Sequence, residues 1–156
     1  MFIADVRSIK INPSQNVIAL NFTTTNDFTN GISLLQNSHL EVISTSGYLI
    51  KVRTSSANLV NAANKIPVNT ITLTPALNIS SGATTSSASQ SGSSTQSSIY
   101  SFPVILAPNP KLMVESSIGA SRTIFNVSYT ASGGQEYMNK ATGNYTTTIT
   151  YSIEPN

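Results

Sequence analysis

Apolar and polar residues alternate along most of this chain, and a period of two is typical of β-strands buried on one face. Seven segments show the pattern and are predicted to be strands: residues 16–22, 40–45, 48–54, 67–74, 101–107, 122–131 and 145–153. In the first six, the side chains that share the inward face are Ile18, Leu20, Phe22, Leu40, Val42, Tyr48, Ile50, Val52, Ile71, Leu73, Phe102, Val104, Leu106, Phe125, Val127 and Tyr129. These residues are the predicted core.

Turn signals separate the predicted strands and are rich in Gly, Pro and Asn. Ser46 and Gly47 lie between two alternating segments, so residues 40–54 are predicted to form a hairpin. Lys51 and Arg53 then point outward from its second strand. Only residues 57–65 (ANLVNAANK) fit a short helix.

Short strands at this spacing predict an all-β fold, specifically an immunoglobulin-like antiparallel β-sandwich of about seven to nine strands. Residues 80–98 (SSGATTSSASQSGSSTQSS) read as a linker or as a long loop. A linker would leave residues 99–156 too short for a stable core without disulfides or metal. We therefore predict a single domain over residues 1–156, in which the Ser-rich stretch is a surface loop or a contact in an assembly.

Charged residues make up only 9 % of the chain, against about 25 % in an average soluble domain. Ser, Thr and Asn take their place, a composition that favours extracellular β-proteins. The cations are scattered, so nucleic acid is not an expected partner. The longest apolar run, residues 102–107, is far short of a membrane span of about 20 residues. The N-terminus shows no signal-peptide pattern, so either the protein is cytosolic or Met1 has replaced the signal peptide of a mature form. The composition favours the second, and we expect a secreted, extracellular or cell-surface protein.

Residues that support catalysis are sparse. The chain has no cysteine and one histidine, His39, which shares a predicted strand face with Glu41 and is expected to form a surface pair with it. No acidic pair suits calcium, and no nucleotide-binding or nucleophile motif occurs. We therefore expect no enzyme activity, no metal site and no cofactor.

The C-terminal strand carries the most specific pattern. Apolar and aromatic positions alternate after a glycine that is fourteenth from the end, in the order Gly143, Tyr145, Thr147, Ile149, Tyr151 and Ile153. This ending (TGNYTTTITYSIE) resembles the C-terminal signature of pilins assembled by the chaperone–usher route and of spore-coat-U-like subunits. It is also similar to β-sandwich domains of secreted Bacteroidetes proteins. The chain departs from the pilin pattern at Pro155, where an aromatic residue is typical, and in having no cysteine pair.

The resemblance implies a sandwich that lacks one strand, with the terminal strand flanking an open groove. A segment of the next subunit would fill the groove by strand addition. The donor candidate is residues 2–11, in which Phe2, Ala4 and Val6 share one face and Ile3 and Ile9 the other. This segment either pairs beside the last strand, swaps into a neighbour, or is the ordinary first strand of a complete sandwich.

The function that the resemblance implies is a structural or adhesive subunit of a bacterial filament, pilus or cell surface. Its partners would be further copies of the chain, with a periplasmic chaperone and usher. The alternative is a secreted carbohydrate-binding module, which would need exposed aromatic residues for sugar stacking. Tyr100 and Tyr137 are the tyrosines available for that role, since the other four lie at predicted core positions.

Overall fold

The structure is a computed structural model that describes residues 1–79 and 98–156. Eleven strands are described: Arg7–Ile11 (β1), Ile32–Ser44 (β2), Tyr48–Thr54 (β3), Asn58–Asn61 (β4), Asn64–Pro67 (β5), Ile71–Leu77 (β6), Ile99–Ser101 (β7), Val104–Ile105 (β8), Lys111–Ser116 (β9), Ala120–Ala131 (β10) and Ile149–Pro155 (β11). One α-helix, Thr25–Asn30 (α1), and 3₁₀ turns at Pro13–Gln15, Val68–Thr70 and Gln135–Tyr137 accompany them.

The strands form two antiparallel sheets and a small hairpin. Sheet A has the order β1-β2-β10-β6-β8, sheet B has the order β11-β3-β9-β7, and β4 pairs with β5. The all-β antiparallel fold is thus confirmed. Both sheets combine strands from either side of residues 80–97. The predicted Ser-rich loop at 80–98 lies outside the described residues, apart from Ser98.

The core lies between the sheets and consists of the side chains that alternation places inward. All predicted core residues from Leu40 onward are almost fully buried except Phe102, which is 40 % exposed. The predicted strand 101–107 is broken there, because the chain leaves sheet B after Ser101 and enters sheet A at Val104. Pro103 lies at the crossing and has no backbone N–H to donate to either ladder.

The hairpin predicted at residues 40–54 is wrong. The strands β2 and β3 lie in different sheets, and the turn at residues 45–47 carries the chain across the core from one sheet to the other. Both edges of β2 are already occupied, by β1 and β10, so no edge is free for β3. Because β2 and β3 face the same core from opposite sides, their inward residues keep the predicted alternation.

The strand predicted at residues 16–22 is also not formed. Ile18, Leu20 and Phe22 do turn inward and pack against the core, as alternation predicts. However, the backbone of this segment has no ladder partner among the described residues. The segment is an extended connection from β1 to α1.

The helix predicted at residues 57–65 is a third error, because these residues form the β4–β5 hairpin. Its turn is Ala62 and Ala63, and Ala62 adopts a φ of 50°. The helix that does form, α1, begins with a capping box in which Thr24 and Asp27 each accept the other's backbone N–H. That box was the overlooked signal.

Candidate functional site

The outer edge of β11 is the feature that links the sequence prediction to the fold. In sheet B, β11 is a terminal strand that pairs with β3 on one side only. We call the opposite side, which no described strand covers, the open edge. The side chains of Tyr145, Thr147, Ile149, Tyr151 and Ile153 are all half-buried, whereas Thr146, Thr148 and Thr150 between them are exposed.

The register shows which backbone groups face the open edge. The N–H of Ser55 donates to the carbonyl of Thr148 at 2.9 Å, and the N–H of Asn156 donates to the carbonyl of Gly47 at 3.3 Å. In an antiparallel ladder the bonded residues alternate, so the even-numbered residues from 148 to 154 bond to β3. The backbone groups of Ile149, Tyr151 and Ile153 therefore point to the open edge.

The same alternation continues ahead of β11. Thr146 exchanges two backbone hydrogen bonds with Val60 of β4, at 2.9 and 3.1 Å. Tyr145 and Thr147 consequently point their backbone groups away from β4, toward the open edge. Gly143 does not extend the row, because it is an exposed bend with a φ of 143° against the side chain of Asn61.

The predicted donor segment is divided into two parts. Its second half is β1, in which Ile9 packs against the core and the backbone pairs with β2. It makes no ladder with β11, although Cα atoms of the two strands approach within 8 Å. The first half, residues 1–6, is an arm without secondary structure, in which Phe2 is 91 %, Ile3 73 % and Val6 48 % exposed and Ala4 is also exposed.

The position of the arm follows from the register of β1. Arg7 lies opposite Ser44 at the end of β2, and β1 runs away from the turn at residues 45–47. The arm therefore precedes β1 at that turn. It is attached there by Asp5, whose carboxylate accepts hydrogen bonds from Arg7 at 2.7 Å and Ser46 at 3.0 Å.

A chain of buried hydrogen bonds lies behind the open edge. Nδ1 of His39 lies 2.8 Å from Oε1 of Gln15, Nε2 of His39 lies 2.7 Å from the hydroxyl of Tyr129, and that hydroxyl lies 2.6 Å from the hydroxyl of Tyr151. Because Nε2 of Gln15 donates to the carbonyl of Asn37, Oε1 is the acceptor, and Nδ1 of His39 carries the proton. Tyr129 then donates to His39, and Tyr151 donates to Tyr129.

The surface position predicted for His39 is wrong, since the side chain is only 1 % exposed. Residues 37–39 of β2 lie opposite Asn126 alone, so a bulge shifts the alternation and turns both His39 and Leu40 inward. Glu41 points outward and pairs with Arg122 instead, at 2.9 Å. A bulge has no signature in the alternation itself, so the sequence did not reveal this chain of bonds.

Burial lowers the pKa of His39 below its ordinary value of 6.5, and burial raises the pKa of Tyr129 to about 12. The pKa of Tyr151 is raised as well, by burial and by the adjacent Tyr129. Near neutral pH the chain of hydrogen bonds therefore has one orientation. Tyr151 on β11 donates to Tyr129, and Tyr129 donates to the neutral imidazole of His39. A proton on Nε2 of His39 would take away the acceptor of the Tyr129 proton, so that one hydroxyl proton of the Tyr129–Tyr151 pair is left without its acceptor.

We expect stability to fall on mild acidification because of His39 alone. The unfolded chain takes up a proton near pH 6.5 while the folded state resists it, so stability is constant above about pH 7.5 and declines as the pH falls from 6.5 toward the folded pKa. The slope cannot exceed about 1.4 kcal/mol per pH unit, the limit for uptake of a single proton. Urea denaturation between pH 7.5 and 5 measures it. His39 is the only histidine, so His39→Gln should give a flat profile; a decline that survives this change would contradict the assignment.

Other kinds of site find less support. Among residues 1–79 and 98–156, no group of three His, Cys, Asp or Glu side chains is arranged to hold a metal ion. No helix in this part of the chain is long and apolar enough to cross a membrane. Of the two tyrosines considered for sugar stacking, Tyr100 is 50 % exposed, whereas Tyr137 is buried and donates to Thr70 at 2.7 Å. Tyr137 is therefore not an exposed contact.

Comparison with known proteins adds no family assignment. No protein-family model matches this sequence, and no curated protein matches it significantly. The geometry of the open edge and of the arm is thus what bears on function.

Proposed function

We propose that this protein is a structural or adhesive subunit of a bacterial extracellular filament or surface, and that it self-associates by β-strand addition at the open edge of β11. The observation that carries the proposal is the row from Tyr145 to Ile153. The five alternate residues of this row have half-buried side chains. The backbone N–H and C=O groups of the same five residues have no ladder partner in the described part of the chain. An added strand would complete both the hydrogen bonds and the burial at once.

The physical cost of leaving this edge open supports the same function. Natural proteins protect exposed sheet edges with charges, proline or a covering segment. Here the features of this kind along the strand are confined to its end, where Glu154 pairs with Lys51 and Pro155 follows. The open edge itself carries no Lys, Arg, Asp or Glu from Tyr145 to Ile153. An unprotected edge of this length is suited to a partner strand.

The arm at residues 1–6 is the donor that we propose. Its apolar residues are exposed, so the chain leaves them without a place in its own core. The arm also precedes β1 at the turn end of the molecule, where it is available to a second copy. The residues of the arm that would pack against the open edge of that copy are Phe2, Ala4 and Val6, and β1 would remain in place as the first strand of its own sheet A.

The test removes residues 1–5, which is all of the arm except Val6, without touching β1. We expect the full chain to form concentration-dependent assemblies, and the chain lacking residues 1–5 to remain monomeric with little change in Tm. Size-exclusion chromatography with light scattering, and negative-stain microscopy, measure this. Val17→Ser is the matched control, because Val17 is 84 % exposed but lies outside the arm. Unchanged assembly without the arm would contradict its role as donor.

A second variant tests the acceptor. Thr147→Pro removes an N–H that faces the open edge and no backbone bond to β3 or β4, although it also removes the exposed contact of the Thr147 hydroxyl with Ser55 at 3.4 Å. We expect it to abolish assembly while the monomer remains folded. Loss of assembly on arm deletion but not in Thr147→Pro would place the acceptor elsewhere.

A further inference from the structure

A depression on the outer face of sheet A has the composition of a ligand site. It has a volume of about 250 Å³ and lies where β1, β2 and β10 run side by side. Its apolar lining comes from Pro13 and from Ile124, which is only 5 % exposed, whereas Ile11 borders the depression but packs against the core. Pockets for drug-sized ligands are roughly 300–1,000 Å³, so this one is matched to a single ring.

The depression is cationic. Lys10 and Arg122 line it together with one carboxylate, that of Glu41. Glu41 accepts a hydrogen bond from Nε of Arg122 at 2.9 Å, which leaves the two terminal nitrogens of the guanidinium without a partner among the described residues. Lys10 forms no ion pair within that part of the chain. One positive charge therefore remains in excess, and the free donors suit an anionic group.

One wall of the depression is held in a strained conformation. Ser38 lies at the centre of the β2 bulge with a φ of 51°, a value that non-glycine residues rarely adopt. Its N–H donates to Oδ1 of Asn126 at 2.7 Å, and its hydroxyl accepts from Asn78 at 3.0 Å. Its carbonyl accepts from Asn12 at 3.4 Å. Strain that is held by three side chains at the wall of a pocket is a common accompaniment of binding sites.

We propose that this depression binds an anionic sugar residue, a single ring that carries a carboxylate or sulfate. The apolar lining accepts the face of the ring, the hydroxyl of Ser38 and the remaining Nδ2–H of Asn12 donate to its hydroxyls, and Lys10 with Arg122 holds the anion. An acidic peptide fits less well, since the backbone groups of Ser38 are already used by asparagine side chains. The proposal does not rest on strand addition at β11, which involves the edge of the other sheet.

The test is a panel of immobilised glycans that end in glucuronic, galacturonic or sialic acid or in a sulfated sugar, each beside its neutral parent. We expect the full chain to bind acidic glycans and not their parents. Lys10→Gln and Arg122→Gln should each weaken binding about tenfold or more, the size expected for one charge-assisted hydrogen bond. Lys65→Gln makes the same charge change on β5 and should leave binding intact.

Several results would overturn the proposal. These are equal binding of the neutral parents, no binding of any acidic glycan, or an equal loss in Lys65→Gln. Displacement by inorganic sulfate as readily as by the free sugar, at matched ionic strength, would identify a simple anion site. Binding of a hexa-aspartate peptide in preference to the glycans would assign the site to an acidic peptide. None of these results depends on whether the chain assembles, so this test and that of the open edge fail separately.

Discussion

Gly31→Ala is expected to destabilise the protein by about 3 kcal/mol or more, a large share of the roughly 5–15 kcal/mol that stabilises an ordinary domain. Gly31 ends α1 and starts the path into β2, with φ 78° and ψ −179°, a region essentially restricted to glycine. A Cβ at this position would also overlap the backbone carbonyl of Ala131 and approach the carbonyl oxygen of Ser132 to 2.9 Å. The end of β10 cannot move away, because it is bonded to β2 and β6 on both sides.

Gly134→Ala is the matched control. Gly134 has nearly the same backbone conformation, φ 90° and ψ −164°, but nothing lies within 4 Å of its would-be Cβ. The Gly134→Ala variant should lose only about 1–3 kcal/mol of folding stability, which is the cost of the backbone strain. Urea denaturation of both variants gives the comparison. Gly31→Ala should be clearly less stable than Gly134→Ala, and it could be unfolded where Gly134→Ala is still folded. Equal losses of stability in the two variants would contradict the close approach of Gly31 to the backbone of β10.

The sequence predicted inward faces well because alternation reports directly on burial. Leu40, Val42, Ile50 and Phe125 are all at most 1 % exposed, as their pattern indicates. Alternation does not report which strand lies beside which. A hairpin and a crossing between sheets give the same inward residues. For that reason the pattern predicts a hairpin at residues 45–47, where the chain crosses between the sheets.

Bulges set a second limit. Where a strand gains a residue relative to its neighbour, two consecutive side chains turn inward, as His39 and Leu40 do in β2 and Met113 and Val114 do in β9. A strict period of two predicts that one of each pair is exposed. The buried histidine behind the open edge and the depression at Ser38 both arise from the β2 bulge. Neither was predictable from the sequence for that reason.

The terminal strand shows the opposite case. Its alternating residues were predicted from Tyr145 to Ile153, and each is half-buried, with exposed threonines between them as far as Thr150. Here no bulge interrupts the ladder with β3, so side chains and backbone groups stay in phase over the whole row. The structure adds that these side chains are only half-buried. A strand with neighbours on both edges would bury them more completely.

Amide hydrogen exchange along β11 is expected to separate alternate residues by about 100-fold or more in the monomer. The N–H groups of Thr150, Ser152 and Glu154 bond to β3 and should be protected, whereas those of Ile149, Tyr151 and Ile153 face the open edge and should exchange rapidly. These amides are neighbours in one strand and share its local stability. A difference between them therefore reports the hydrogen-bond partner and not general flexibility.

Strand addition at β11 is tested by the same experiment on the assembled protein, with exchange quenched before the subunits are separated. If assembly occurs by strand addition at β11, Ile149, Tyr151 and Ile153 should become protected to the level of Thr150, Ser152 and Glu154. Protection should revert to the monomer pattern in the chain that lacks residues 1–5. Assemblies in which these three amides still exchange rapidly would contradict strand addition at the open edge, and a monomer with all six equally protected would contradict the open edge itself.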